Sequence, residues 1–181
     1  MISFKAKYIN SQYIDSIHRK SKKPDYKVSF VELNPLSSQD VNTVQDVATS
    51  WENNSSLATP LCDTFLDCNL IQCNDDRHFF ALTIQRENFK NLLPQEVLGL
   101  AQISLKKDNK ISLDFLQVDP DNIYSAPERN FKGIGKILVK AILDCYSTKD
   151  VTLSSTFSAY DFYKKLGFKQ IRQSSEFILK R

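Results

Sequence analysis

Asn130-Phe131-Lys132-Gly133-Ile134-Gly135-Lys136 joins an apolar strand pattern, residues 111–118, to a helical pattern that begins at Ile134. It holds two of the four glycines in a chain of 181 residues, and a sequence so sparing with glycine keeps it where a Cβ cannot be accommodated. Amide N–H groups at a helix start have no intrahelical partners, and with the positive end of the helix dipole they can hold a phosphate or pyrophosphate. Glycine at 133 and 135 would let the backbone approach such a ligand. The same two glycines suit plain helix packing, so the segment alone leaves both readings open. Two nucleotide-binding patterns fail on reading outward. A P-loop needs G-x4-G-K-[ST], which Gly133, Ile134, Gly135 and Lys136 do not supply, and a dinucleotide fingerprint needs a third glycine where Leu138 stands.

Downstream, Ile134, Ile137, Leu138, Ala141, Ile142 and Cys145 recur with the helical period and predict one helix with a broad apolar stripe. Residues 151–155 follow as a short strand. Ser158 can cap a last helix that sets Ala159, Phe162, Tyr163 and Leu166 on one side and stops at Gly167, after which residues 169–173 and 177–180 read as strands. Upstream, residues 78–85, 97–105 and 111–118 are strand patterns, the last two joined by a polar turn with Asp108 and Asn109 into an antiparallel hairpin. Earlier still, residues 27–33 form a strand. Ser37 or Ser38 then caps a helix through Val41, Val44, Val47, Ala48 and Trp51, which residues 53–56 break, and Thr59-Pro60 opens a second through Leu61, Phe65 and Cys68. Ile2, Phe4, Ala6 and Tyr8 alternate as a half-buried strand before a basic connector, residues 18–23. The expected organisation is an N-terminal strand and connector, 1–26, packed on one domain, 27–181.

Composition narrows the class. With 41% apolar and 25% charged residues the chain reads as one ordinary soluble domain, and 24 basic against 21 acidic groups give +3, too mild to demand nucleic acid, membrane or an acidic substrate. No apolar run approaches the roughly 20 residues of a membrane span, and residues 1–20 lack the apolar stretch of a signal peptide, so a cytoplasmic location is expected. Cys62, Cys68, Cys73 and Cys145 are then expected to be reduced and to act as small buried hydrophobes. The first three with His78 lack the close ligand pairs that tetrahedral zinc uses, so no metal is expected.

A second motif carries a resemblance. Ala159-x2-Phe162-Tyr163-Lys164-Lys165-Leu166-Gly167-Phe168, taken with Gly99 in the third main strand, Leu116-Gln117-Val118 ending the fourth, and Gly133 and Gly135 opening the next helix, is similar to the GCN5-related N-acetyltransferase (GNAT) family over about residues 27–180. The resemblance implies an α/β (α+β) fold: a mixed, largely antiparallel sheet of about seven strands flanked by about four helices, its fourth and fifth strands parallel and splayed. Here these would be 111–118 and 151–155. It implies that the pantetheine arm of acetyl-CoA pairs with the backbone of Leu116, Gln117 and Val118 as an added strand would. The pyrophosphate would lie at Asn130, Phe131, Lys132, Gly133, Ile134, Gly135 and Lys136, with charge from the two lysines. The sequence departs from the family where Asn130 replaces the usual Gln or Arg and where residues 123–128 look inserted.

The resemblance also implies Tyr163 as a general acid near the sulfur, and Asp114 as the candidate base on the fourth strand. The expected function is acetyl-CoA-dependent N-acetyl transfer, directly to a primary amine of a small molecule or protein. The alternative is a non-catalytic GNAT-fold domain that binds CoA or a protein. Expected partners are acetyl-CoA and the amine acceptor, with no membrane and, among nucleic acids, only tRNA left open through the basic connector; the chain would be a monomer or homodimer.

Overall fold

The structure, a computed structural model, describes residues 6–17, 26–52, 59–71, 76–123, 126 and 128–181. Ile2, Phe4, the basic connector 18–23, the helix break 53–56 and Cys73 lie outside them. The chain runs through β1 (Lys7–Ser16), β2 (Tyr26–Leu33), α1 (Ser38–Glu52), α2 (Thr59–Ile71), β3 (Arg77–Thr83), β4 (Val97–Lys106) and β5 (Lys110–Val118). It continues through β6 (Phe131–Lys132), α3 (Ile134–Cys145), β7 (Asp150–Ser154), α4 (Tyr160–Lys165), β8 (Lys169–Gln170) and β9 (Glu176–Leu179). Among the described residues nine strands share one sheet in the order β6-β1-β2-β3-β4-β5-β7-β9-β8. Every neighbouring pair is antiparallel except β5 and β7, which are parallel. The expected seven-strand sheet is thus extended by β1, which pairs along β2, and by the two-residue β6.

Two apolar clusters sandwich this sheet. Strand alternation sends Phe79 and Ala81 of β3 and Leu100 of β4 to one face, where α1 and α2 contribute Val44, Val47, Trp51, Leu61 and Phe65. Phe80, Leu82 and Ala101 go to the other, against Leu138, Val139, Ala141 and Ile142 of α3 and Tyr163 of α4. The central strand β4 is therefore buried from Val97 to Ser104, the near-continuous apolar run of a strand covered on both sides. Gly99 is needed here for close approach: a Cβ at that position would sit 3.1 Å from Leu138 Cδ2, 3.2 Å from the Gln117 carbonyl oxygen and 3.3 Å from Ile134 Cγ2.

Local signals set the helix ends. Ser37 caps α1, its Oγ accepting from Asp40 N at 3.3 Å, while Asp40 Oδ2 accepts in return from Asn34 N at 2.8 Å. The expected cap of the last helix, Ser158, lies instead inside a short 3-10 turn, Phe157–Ala159, with its hydroxyl 3.1 Å from Thr156 Oγ1. Gly167, at φ +91°, stops that helix as expected. Cys145 is the last residue of α3 and is exposed; Leu143 enters the core where the stripe anticipated Cys145. Cys62 and Cys145 are free thiols, but Cys68 is disulfide-bonded, its partner outside the described residues. The expectation of reduced thiols rested on compartment, which does not decide whether two cysteines come within bridging distance. Among the described residues no helix is long and apolar enough to cross a membrane.

Candidate active site at the parted strands

Two irregularities in the sheet create the site. β5 and β7 pair at only four positions, from Lys110 with Asp150 to Leu113 with Leu153, and beyond these they part. Residues 114–118 of β5 face no paired strand on that edge among the described residues, so a row of backbone N–H and C=O groups stays available. At the same point β5 bulges: Ile103 pairs with Leu113 and Gln102 with Phe115, leaving Asp114 as the extra residue. A bulge bends a strand and shifts its alternation by one residue. Ile111 and Leu113 face the α3 side before it, Leu116 and Val118 face that side after it, and Phe115 turns to the α1/α2 side.

The space so opened is a cavity of about 610 Å³. Leu116 and Val118 of β5 form one wall, the segment Lys132 to Lys136 a second, and Ala159, Phe162 and Tyr163 a third, with Asn122, Ile123 and Arg129 closing the rim. Gly133 takes φ +75° at the N-cap of α3, a left-handed conformation in which a side chain is strained. The first bond of the helix runs from Ile137 N to Gly133 O at 2.9 Å, so the amides before Ile137 have no intrahelical acceptor, and the residues carrying them line the cavity. Gly135 lies against Phe162 and Val118, each 3.4 Å from the place a Cβ would take.

Tyr163 is 8% exposed and packs edge-on against Phe162, with ring centroids 4.9 Å apart, and against Phe168 at 5.8 Å. Burial pushes its phenol up to about 12, because the ionised form would lose its hydration. The hydroxyl therefore keeps its proton at neutral pH. Burial also raises the Asp119 carboxyl just beyond β5, against the opposing pull of bonds from Asp121 N and Asn122.

The structure thus gathers Leu116, Val118, Lys132, Gly133, Ile134, Gly135, Lys136 and Tyr163 around one cavity, and it sets four expected site residues outside the lining. Gln117 is buried with its Nε2 donating to Val118 O at 3.0 Å. The amides of Asn130 and Phe131 both donate to Asn122 Oδ1, at 3.0 Å each, so they are already engaged. Asp114 is exposed and accepts a hydrogen bond from Ser104 Oγ across the β4/β5 pair. Ser104 shares the face of Leu100, so Asp114 reaches the α1/α2 side of the sheet, opposite the cavity and beside the point where β5 leaves β7. Sequence reasoning did not place Asn122, Ile123, Arg129, Ala159 or Phe162 in the site. Ala159 and Phe162 stood in the motif that carries the resemblance, and Asn122 left a trace as a turn-forming residue directly after Asp119-Pro120.

Residues 94–178 match the family model of the acetyltransferase (GNAT) domain. No curated protein gives a significant match. Among solved structures the chain is similar to an acetyltransferase from Thermus thermophilus, with 14% identity over 84% of this chain and 96% of that one and a TM-score of 0.57. It is also similar to Tetrahymena GCN5, with 12% identity over 78% of this chain and 88% of that one and a TM-score of 0.51. At such identities the likeness speaks for the fold alone. By architecture the chain has a GNAT-like fold, and within it residues 94–178 match the acetyltransferase (GNAT) domain model.

Proposed function

We propose that the protein is an N-acetyltransferase that takes the acetyl group of acetyl-CoA and delivers it directly to a primary amine. The observation that carries this reading is the departure of β5 from β7 beyond Leu113 and Leu153, which leaves an unpaired strand edge beside a cavity closed by a helix start. The residues present fit the donor. The free edge of residues 114–118 offers an extended amide-bearing chain the partners a strand would have, and the amides of Gly133 to Lys136, with Arg129, Lys132 and Lys136 around them, suit a diphosphate. A volume of about 610 Å³ is in the range of pockets that enclose small organic ligands.

Bound there, acetyl-CoA would supply an activated thioester carbonyl. Tyr163 lines the cavity as a neutral phenol and holds a proton at Oη for the sulfur side of the reaction. Asp114 stands on the other face of the same gap, where it can orient or deprotonate an amine that approaches from the α1/α2 side. Fixed amides of the β5 edge are suited to polarise a carbonyl set against them, since donors already in place need no reorganisation.

Calorimetric titration with acetyl-CoA, followed by a thiol-release screen against amines and peptides, tests the reading. Binding together with thiol release dependent on an amine is expected. Tight binding with no release for any acceptor would move the protein to the non-catalytic alternative, and no binding at all would remove the acetyl-CoA reading.

A further inference from the structure

We infer that Asn122 is a positioning residue: its side chain closes the long connection between β5 and α3 and thereby sets in advance the backbone amides proposed to grip the diphosphate. The inference rests on the acetyl-CoA reading above. Residues 119–133 separate the end of β5 from the start of α3. An open connection of this length would let the segment before Gly133 wander, and the ordering would then have to occur on binding.

Asn122 prevents this with both ends of its side-chain amide. Its Oδ1 accepts from both Asn130 N and Phe131 N at 3.0 Å, and its Nδ2 donates to Asp119 Oδ2 at 2.7 Å. Asp119 is in turn held at the strand end, where its own N–H donates to Leu98 O at 2.9 Å and its Oδ1 accepts from Asp121 N at 3.0 Å. The far side of the loop is fastened to β1, through Ile17 N to Asn130 O at 2.9 Å and the pairing of Asp15 with Lys132. Phe131 thus leaves a fixed point, and the next residues, Lys132 to Lys136, are the ones that line the cavity. Asn122 lines it too, so the staple sits beside the amides it arranges. Only an amide side chain meets all three demands. Aspartate at 122 could still accept from the two N–H groups but would face Asp119 with like charge and no donor.

The test uses the full chain and two ligands, CoA and pantetheine, the second lacking the diphosphate. Asn122→Ala should weaken CoA binding about tenfold or more in calorimetry, because the Asn130 and Phe131 amides lose their shared acceptor, while pantetheine affinity stays within about twofold. Asn122→Asp, which retains both acceptors, should also weaken CoA and leave pantetheine alone. Equal CoA affinity in wild type and both variants would overturn the inference, and so would an equal loss for the two ligands, which would mark a general structural defect.

Amide hydrogen exchange of the wild type supplies a readout independent of any variant. The Asn130 and Phe131 amides should be protected before CoA is added, and those of Gly133 to Lys136 should gain protection only afterwards. If Asn130 and Phe131 become protected only with CoA, the loop is not set in advance. Failure of the wild type to bind CoA would instead bring down the acetyl-CoA reading, and this inference with it.

Discussion

Tyr163 shows how one side chain serves both core and chemistry. Its ring is wedged among Phe162, Phe168 and Phe177, and the same burial that makes it a core residue holds its phenol near 12. A group raised so far stays protonated across the physiological range, the state a proton donor requires. Tyr163→Phe keeps the ring and removes only the hydroxyl. It should lower kcat by about 100-fold, within the span general acids contribute, and leave the dissociation constant for acetyl-CoA within a few-fold. Equal kcat in the two proteins would reduce Tyr163 to a packing residue. Asp114, engaged by Ser104 and exposed, is a weaker participant on geometry. If it handles the amine, Asp114→Asn should lower kcat with donor affinity unchanged, and the deficit should shrink as pH rises and more of the free amine is neutral.

At the scale of elements, the β4–β5–α3 unit depends on two glycines for different reasons. Gly99 lets α3 pack onto β4, and its surroundings include the Gln117 carbonyl, which cannot swing aside as a side-chain end can. Gly99→Ala should therefore cost about 1–3 kcal/mol by overpacking, read as a lower midpoint in urea unfolding at unchanged slope. Gly135 faces the cavity instead. Gly135→Glu should weaken acetyl-CoA binding by placing bulk and negative charge beside the diphosphate amides, and unaltered affinity would move the anion site elsewhere. This unit also shows what was legible beforehand. The helical period after Ile134, the glycine pair and the Ala159 to Phe168 motif are local, so they survive in sequence and led to the strand pair that parts and to the cavity between strand and helix start. The bulge at Asp114 is a property of pairing between β4 and β5, and nothing in Leu113-Asp114-Phe115 announces that one residue will be left over. Likewise β6 exists only because β1 lies beside it, and the engagement of the Asn130 and Phe131 amides depends on a residue eight and nine positions away. Ser158 failed as a cap because the 3-10 turn Phe157–Ala159 precedes the helix and draws its hydroxyl to Thr156. Local chemistry was readable, and long-range register was not.

Across the whole molecule, the two ends of α3 couple the fold to alkaline pH. Tyr163 packs in the core cluster formed with α3, and Tyr146 follows the helix's last residue. Burial raises both phenols to about 12, with Glu32 and Cys145 adding to the effect at Tyr146. In the unfolded chain a tyrosine titrates near 10. Between about pH 10 and 12 the unfolded state gives up protons that the folded state retains, so stability is complete below pH 10 and falls as pH rises through that window. The buried thiol of Cys62, raised above 9 chiefly by burial, acts in the same direction from a slightly lower pH. For a phenol as enclosed as Tyr163 the effect is on the order of 2 kcal/mol once the window is crossed, enough to matter in a domain of ordinary stability. Urea midpoints measured from pH 8 to 11.5 should stay flat and then decline steeply. Tyr163→Phe removes one of the ionising groups, so its decline should be shallower, and Tyr146→Phe shallower to a lesser degree because that ring is only half-buried. Parallel curves for wild type and Tyr163→Phe would mean that the phenol meets water freely in the folded protein. The protonated, enclosed hydroxyl assigned to the cavity wall would then be lost together with the stability effect.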